Sequence, residues 1–181
     1  MELLEVKKYV TDIKLDLRYA TKNNVTSRIL YKNANAYLVK DACLALCNVQ
    51  SYLQKQGYGL IIWDAYRPYT VTKQLWDAAP AHNKSLTFAD PMGGSIHNKG
   101  CAVDVTLYDL KTGKELTMQS GFDDMTNMAR PNYKKAAKEH KDRTEQLRMA
   151  FETHGFARDE YEWWHFNWKE HAKYKILDIP L

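Results

Sequence analysis

Charged residues alternate with apolar or aromatic ones from Ile13 to Tyr19, with the charged residues at the even-numbered positions. A period of two residues is typical of a half-buried strand. The segment Gly59–Trp63 is instead continuously apolar, which predicts an interior strand. Every second residue from Cys101 to Leu107 is again apolar, so a third strand is predicted there, with Asp104 on its opposite face among small residues. The aromatic-rich segment Tyr161–Phe166 favours an extended conformation.

Three other segments carry helical signals. Apolar residues at three- and four-residue spacing predict a helix that is capped by Asn33 or Asn35 and runs to about Gln56. A second helix is predicted directly after Pro68, because the fixed φ of proline suits the first turn. A third helix is predicted from Pro131 to Gly155.

The segment Pro80–Gly94 carries two prolines and two glycines and has little periodicity, which predicts a long loop. Long loops in compact domains are often functional. The total length of 181 residues fits one domain with a full core. We therefore expect a single domain over residues 1–181.

Composition and charge exclude several classes of protein. A hydrophobic fraction of 45% and a net charge of +4 are ordinary for a globular chain. Basic residues of the third predicted helix are interleaved with acidic ones, which favours a solvated face over a nucleic-acid contact. Three cysteines without a repeating spacing do not indicate a disulfide scaffold.

No apolar run reaches the length of about 18 residues that a membrane span needs. The segment Met1–Tyr9 lacks the basic and apolar regions of a secretory leader. A cytoplasmic protein without a membrane span is expected, and a periplasmic one is the alternative if a leader was removed.

Candidate chemistry lies in two motifs. His97 and Asp104 flank the small residues Gly100–Ala102, which let backbone and metal approach closely. The second motif is Glu162-x-x-His165. Catalytic zinc takes three protein ligands and keeps a fourth position open, so the two motifs together suit metal-assisted hydrolysis. In a regular strand Glu162 and His165 would point to opposite faces, so a shared site requires a bulge or a turn between them.

Plainer interpretations exist for these residues. A single histidine is more often structural than a ligand, the pair Trp163-Trp164 is more often core, and Asp123 would ordinarily be a loop carboxylate. Arg67, which follows the apolar strand, suits a surface ion pair with Asp64 and a functional cation equally well.

Two patterns resemble a known family. Ser-x-His-x-x-Gly-x-Ala-x-Asp over Ser95–Asp104, together with Glu-x-x-His over Glu162–His165, is similar to the zinc D-Ala-D-Ala peptidases of the VanX/VanY type. Further matches favour the VanX-type D-alanyl-D-alanine dipeptidases within that group. These matches are Asp16–Thr21, Gly57–Leu60, Trp63–Pro68, Phe122–Met125 and Tyr161–His165.

The resemblance implies three groups of site residues. The ligands of one Zn²⁺ per chain would be His97, Asp104 and His165. The catalytic residues would be Glu162, as the general base toward metal-bound water, and Arg67, as the cation that stabilises the tetrahedral intermediate. The substrate-binding residues would be Tyr19, Ser95 and Asp123, of which Asp123 would pair with the free α-ammonium group.

The implied activity is hydrolysis of the D-alanyl-D-alanine dipeptide to two D-alanines. One alternative is a D,D-carboxypeptidase or L,D/D,D-endopeptidase that acts on peptidoglycan stem peptides. Another is a non-enzymatic zinc-binding domain, which Glu162 and Arg67 disfavour because a structural site needs neither. Glycopeptide resistance, recycling of wall fragments and nutrient use all stay open as roles, and so does a homodimer.

The chain departs from the dipeptidase pattern at Thr126–Pro131, where these enzymes commonly carry a Ser-His pair, and in the short segment Ser27–Ala36. Neither departure removes a ligand, but both concern the substrate range. Taken together, these patterns and the resemblance predict an α+β domain in which a mainly antiparallel sheet bears the zinc site and helices pack against that sheet.

Overall fold

The computed structural model describes residues 2–79 and 89–181. The β-strands of this part are β1 (Leu3–Glu5), β2 (Lys14–Leu15), β3 (Tyr37–Val39), β4 (Tyr58–Asp64), β5 (Ala102–Asp109), β6 (Phe156–Arg158) and β7 (His165–Trp168). Its α-helices are α1 (Lys40–Gln54), α2 (Tyr69–Ala78) and α3 (Lys138–Thr153). Short 3-10 helices include Arg18–Ala20 and Ile96–Lys99.

Five strands form one sheet in the order β2-β4-β5-β7-β6. β2 pairs with β4 in parallel, and the other three pairings are antiparallel. β1 and β3 form a separate antiparallel pair. The prediction of an α+β domain with a mainly antiparallel sheet is confirmed.

The core lies between the central strands and the helices. α1 packs against β4 and α3, and its buried residues include Leu46, Val49 and Leu53. β4 is buried from Gly59 to Asp64, as its apolar run predicts. β5 is buried from Ala102 to Tyr108, so its polar residues Asp104 and Thr106 are enclosed as well.

The strand predicted over Ile13–Tyr19 is mostly wrong. β2 contains only Lys14 and Leu15, and Arg18–Ala20 forms a 3-10 helix. β2 is an edge strand with one neighbour, so few ladder hydrogen bonds hold it to the sheet. The chain turns away and buries Tyr19 against the ring of Tyr31, with the ring centroids 5.8 Å apart.

The predicted starts of two helices are also wrong. α1 begins at Lys40, after strand β3, and the side chain of Asn33 accepts the backbone N–H of Asn35 at 3.1 Å. Such local side-chain bonds favour turns over helix. α3 begins at Lys138, because the preceding Ala137 has an extended backbone. Residues 131–137 therefore form turns, which the sequence pattern placed in the helix.

The structure describes residues 89–94 of the loop predicted over Pro80–Gly94. The rest of that prediction lies outside the described residues. Within the described ranges, no helix is long and apolar enough to cross a membrane.

Candidate active site

The candidate site is a cleft beside the first residues of β5 and β7, with a volume of about 340 Å³. All the residues to which the sequence assigned a role line this cleft. They are Tyr19, Arg67, Ser95, His97, Asp104, Asp123, Glu162 and His165.

The sheet places two of these side chains directly opposite each other. Asp104 on β5 and His165 on β7 are cross-strand partners in the antiparallel ladder. Side chains of such a pair leave the same face of the sheet within contact distance. The register of two strands therefore brings together residues that are 61 positions apart in the chain.

His97 joins this pair from the 3-10 helix that precedes β5. The Ser95 hydroxyl caps that helix by accepting the backbone N–H of His97 at 3.2 Å. Gly100 ends it with a φ of 67°, in the left-handed region that favours glycine. A Cβ atom added at Gly100 would lie only 2.6 Å from the nearest atom of the Leu3 side chain. Because of this sharp turn, the chain enters β5 at Ala102, five residues after His97 and two before Asp104.

Three potential ligand atoms converge in the cleft, all within 4.8 Å of one another. His97 Nε2 lies 3.2 Å from His165 Nδ1, and His165 Nδ1 lies 2.9 Å from an Asp104 carboxylate oxygen. The other Asp104 oxygen is 3.4 Å from His97 Nε2. This group of three residues is the metal-binding candidate of the described part of the chain.

The outer nitrogen of each histidine ring faces an acceptor. His97 Nδ1 lies 2.6 Å from the carbonyl oxygen of Ala65, and His165 Nε2 lies 2.9 Å from the amide oxygen of Asn167. In the neutral form of each ring the outer nitrogen therefore carries the proton, and the inner nitrogen is left to face Asp104. Two such nitrogens and a carboxylate favour a cation between them, either a proton or a metal ion, and the donor set fits a metal ion such as zinc.

The electrostatics of the buried pair agree with this geometry. Burial alone would raise the pKa of Asp104, but His97 and His165 hold it well below its usual range. Burial alone would lower the pKa of His165, but the hydrogen bond and charge of Asp104 raise it to about 9. The site therefore favours positive charge between the rings and the carboxylate.

Glu162 reaches the same cleft because the chain turns before β7. Trp163 and Trp164 lie in a turn, so only the last two residues of the segment predicted to be extended, Tyr161–Phe166, belong to the strand. The turn brings a Glu162 carboxylate oxygen to 3.9 Å from His165 Nδ1. Of the two arrangements that the sequence left open, a bulge and a turn, the structure has the turn.

The loop before Glu162 is held by Asp159, whose carboxylate accepts the backbone N–H groups of Tyr161 at 2.7 Å and Glu162 at 3.1 Å. Desolvation raises the pKa of Glu162 to about 8, and the negative charges of Asp104 and Asp123 add to this shift. A carboxyl group with a pKa near neutrality can both accept and return a proton.

Arg67 makes a buried ion pair rather than a surface one. Its guanidinium donates to one carboxylate oxygen of Asp64 at 2.8 and 2.7 Å, and the Tyr31 hydroxyl donates to the other oxygen at 2.6 Å. The guanidinium lies 3.9 Å from Asp104. Burial opposes its charge, but Asp64 outweighs that effect and keeps the pKa of Arg67 well above its ordinary value. The cleft therefore has a permanent, positioned cation.

Tyr19 and Asp123 form the opposite end of the cleft. The Tyr19 hydroxyl donates to the Asp123 carboxylate at 3.1 and 3.3 Å, and burial keeps the pKa of this phenol well above its usual value. Desolvation raises the pKa of Asp123 to about 7, against the opposing charge of Arg67. The backbone of Asp123 has a φ of 56°, a conformation that aspartate and asparagine tolerate better than most residues.

Several residues that support the site were not assigned by the sequence. Asn167 shares the strand face of His165 at a spacing of two, and that period is the signal that could have found it. Asn98 is buried, and its amide donates to the Arg67 carbonyl and the Thr72 hydroxyl, each at 2.8 Å. Asn98 also accepts the backbone N–H of Ser95 at 2.7 Å, so a capping-box pattern from Ser95 to Asn98 is the local signal that could have found it.

A solved structure has a fold similar to that of this chain. The LD-carboxypeptidase LdcB, whose structure reveals the molecular basis of peptidoglycan recognition, matches with a TM-score of 0.54 over 96% of this chain and 71% of its own. The sequence identity is 22%, so this likeness shows the fold alone. Fold and cleft thus define an α+β domain whose sheet carries a candidate metal centre.

The sequence comparisons give the family. The profile of the peptidase M15 family, described as D-Ala-D-Ala dipeptidase, matches residues 1–178, and the chain belongs to this family of peptidases. The D-alanyl-D-alanine dipeptidase of Escherichia coli (strain K12) is 36% identical, over 97% of this chain and 89% of its own length. That of Enterococcus faecalis (strain ATCC 700802 / V583) is 30% identical, over 93% and 88%.

Proposed function

We propose that the protein is a zinc-dependent dipeptidase that hydrolyses D-alanyl-D-alanine to two D-alanines. The observation that carries the proposal is the convergence of three acceptors, from His97, Asp104 and His165, in a cleft that also contains a general-base candidate and a buried cation. Membership of the D-Ala-D-Ala dipeptidase family supports the substrate.

In this proposal His97, Asp104 and His165 hold one zinc ion. When bound, zinc polarises the scissile carbonyl and lowers the pKa of water toward about 7. Ala65 and Asn167 keep both rings in the tautomer that presents the inner nitrogen, so the ligands need no rearrangement.

Glu162 is proposed as the general base. Its carboxylate takes a proton from the attacking water and delivers it to the leaving amine, because it faces the ligands and its pKa of about 8 lies close to neutrality. The bond between the two alanines then breaks with the nitrogen leaving as a neutral amine.

Arg67 is proposed to stabilise the negative charge that develops on the carbonyl oxygen. The guanidinium keeps its charge at any accessible pH, and Asp64 and Tyr31 fix its orientation before the substrate binds. A cation that is already oriented gains more from the transition state than one that must first be ordered.

Tyr19, Ser95 and Asp123 are proposed to hold the substrate. Asp123, oriented by the Tyr19 hydroxyl, would pair with the free α-ammonium group of the dipeptide. The Ser95 hydroxyl accepts from His97 and retains its own proton to donate to the peptide. An acidic end wall of this kind selects free dipeptides over blocked or longer chains.

The test is D-alanine release from free D-Ala-D-Ala and from its N-acetylated form, before and after removal of metal by a chelator. Zinc-dependent cleavage of the free dipeptide alone is expected. Cleavage of both forms would instead support a carboxypeptidase that acts on wall peptides, and cleavage of neither would overturn the proposal.

The role of Asp123 is tested with Asp123→Asn, which keeps the shape and tolerates the positive φ. The preference for the free amine is expected to fall by about ten- to a hundredfold, since a hydrogen bond to a charged group contributes about 1.5–3 kcal/mol. A preference equal to that of the wild type would contradict the assignment. Asp77→Asn, at an exposed position of α2 that does not line the cleft, is the matched control.

A further inference from the structure

A second cavity opens beside the cleft and shares part of its wall. Its volume is about 140 Å³, several times the space that a water molecule needs. Asp123, Tyr161 and Glu162 line both spaces. The rest of the second cavity is lined by the loop from Asp124 to Arg130.

This loop overlaps Thr126–Pro131, where the chain departs from the dipeptidase pattern. The departure therefore falls on the wall of a cavity that joins the cleft, while the convergent ligands lie on the sheet and on the 3-10 helix that precedes β5. A change in this wall changes the space and chemistry offered to a substrate and leaves the ligand geometry as it is.

Four ionisable groups line the wall, namely the carboxyl groups of Asp123, Asp124 and Glu162 and the guanidinium of Arg130. The Arg130 guanidinium lies 4.8 Å above the Tyr161 ring and makes no ion pair with any residue that the structure describes. Asp124 accepts the backbone N–H of Thr126 at 2.7 Å and keeps its other carboxylate oxygen for a second donor. In the proposed function Asp123 pairs with the ammonium group and Glu162 faces the attacking water, so Arg130 and Asp124 are the charged groups left to a side chain in this cavity. This cation and this carboxylate suit an uncharged side chain that both accepts and donates hydrogen bonds, such as a carboxamide.

The position of the cavity relates it to one part of the dipeptide. With the ammonium group at Asp123 and the scissile carbonyl at the ligands beside Glu162, the α-carbon of the first residue lies between these two carboxylates. Asp123 and Glu162 are also the residues that flank the opening between cleft and cavity. A side chain on that α-carbon can therefore enter the second cavity.

We propose that the second cavity is a binding site for the side chain of the substrate's first residue, and that it accepts uncharged polar side chains of carboxamide type. The enzyme then hydrolyses D-Asn-D-Ala in addition to D-Ala-D-Ala. This inference rests on the proposed dipeptidase function.

The test compares kcat/KM for D-Asn-D-Ala, D-Leu-D-Ala and D-Asp-D-Ala, whose first side chains have nearly the same shape, with kcat/KM for D-Ala-D-Ala. D-Asn-D-Ala is expected to fall within tenfold of D-Ala-D-Ala and at least tenfold above the other two. Cleavage of D-Ala-D-Ala with D-Asn-D-Ala a hundredfold slower overturns this inference and leaves the dipeptidase standing. Cleavage of none of the four overturns both.

Variants separate a specific contact from mere space. Arg130→Met keeps an apolar chain over Tyr161 but removes the donors, and it is expected to lower the preference for D-Asn over D-Leu by about tenfold. Arg130→Lys should retain part of that preference. Arg28→Met, at an exposed arginine outside both cavities, is the matched control. An unchanged preference in Arg130→Met overturns the assignment of the polar contact.

Discussion

The two halves of the cleft are built in different ways. Asp104 and His165 stand on neighbouring strands, and the backbone ladder of β5 and β7 sets their separation. Asp123 and Glu162 stand on loops, where single side-chain contacts from Tyr19 and Asp159 hold them. The ladder distributes its constraint over several backbone hydrogen bonds, whereas each loop residue depends on one or two partners.

This difference shows which side chains of the cleft are held rigidly and which can adjust. A metal centre needs ligands fixed to within a few tenths of an ångström, and a sheet supplies that rigidity. The proposed base Glu162 and the proposed ammonium-binding carboxylate Asp123 would have to respond to the substrate. They occupy segments with a positive φ, at Asp123, and with a turn, at Trp163-Trp164. Substitutions in the two halves should therefore fail in different ways.

The largest effect is expected on the sheet side. His165→Ala should abolish stoichiometric zinc binding and lower kcat/KM by at least about a thousandfold, since the metal supplies several kcal/mol of transition-state stabilisation. Zinc content by atomic emission and the rate of D-alanine release measure this. His140→Ala, at a half-buried position of α3 outside the cleft, should keep both zinc and activity. Retained zinc in the His165 variant would count against the ligand set.

On the loop side, Glu162→Gln should lower kcat by about a hundred- to ten-thousandfold, which is the range of general-base catalysis, and keep its zinc. This combination would separate the loop residue from the ligands of the sheet. Glu160→Gln, two residues earlier and exposed, is the matched control. Loss of zinc together with activity in Glu162→Gln would place Glu162 among the ligands instead.

A smaller effect is expected at the support of the sheet half. Asn167→Ala removes the acceptor of the outer His165 proton and should weaken zinc binding by about ten- to a hundredfold, as is usual for such partners. Competition with a chromophoric chelator measures the affinity. Asn167→Asp keeps an acceptor and should bind zinc within a few-fold of the wild type. Equal zinc affinity in the wild type and both variants would contradict a role for Asn167 in zinc binding.

The smallest effect concerns stability on the loop side. The pKa of Asp123 is about 7 in the folded chain, against about 3.9 when unfolded. Between these values the folded chain binds more protons, so Asp123 lowers the free energy of unfolding as the pH rises from about 4 to 7.

Asp123→Asn removes this titration and still offers an acceptor to Tyr19. The variant should therefore gain about 1 kcal/mol over the wild type at pH 8 and little at pH 4. Denaturant unfolding at both pH values measures the difference. A variant that is less stable at pH 8 than at pH 4, relative to the wild type, would reverse the sign and contradict the burial of this carboxyl.

The sequence predicted the central strands and the sheet half of the cleft because local patterns encode them. The apolar run from Gly59 and the alternation from Cys101 are periodic, and periodicity survives in the fold. The turn at Trp163-Trp164 was one of two options, because the aromatic residues favour a strand while a site shared by Glu162 and His165 requires a bulge or a turn between them.

Contacts between distant segments could not be predicted in this way. The alternation at Ile13–Tyr19 is overridden because Tyr19 is buried against Tyr31 beneath the cleft. Asn33 or Asn35 suits a helix cap by residue type, but strand β3 intervenes and the helix begins later. Asn98 supports the site through Arg67 and Thr72, and Asp64 is held by Tyr31, and these partners are near only in the completed fold.

The separation of ligand sheet and cavity loop has an evolutionary consequence. Mutations in Asp124–Arg130 can accumulate without passing through an ancestor that has lost its metal centre, because no ligand atom lies in that segment. Related enzymes can therefore diverge in substrate preference while the residues of the proposed metal site are inherited unchanged. Within this family, relatives that share the two motifs are best sorted by this loop, and exchanging it between them is the most direct way to move a substrate preference from one enzyme to another.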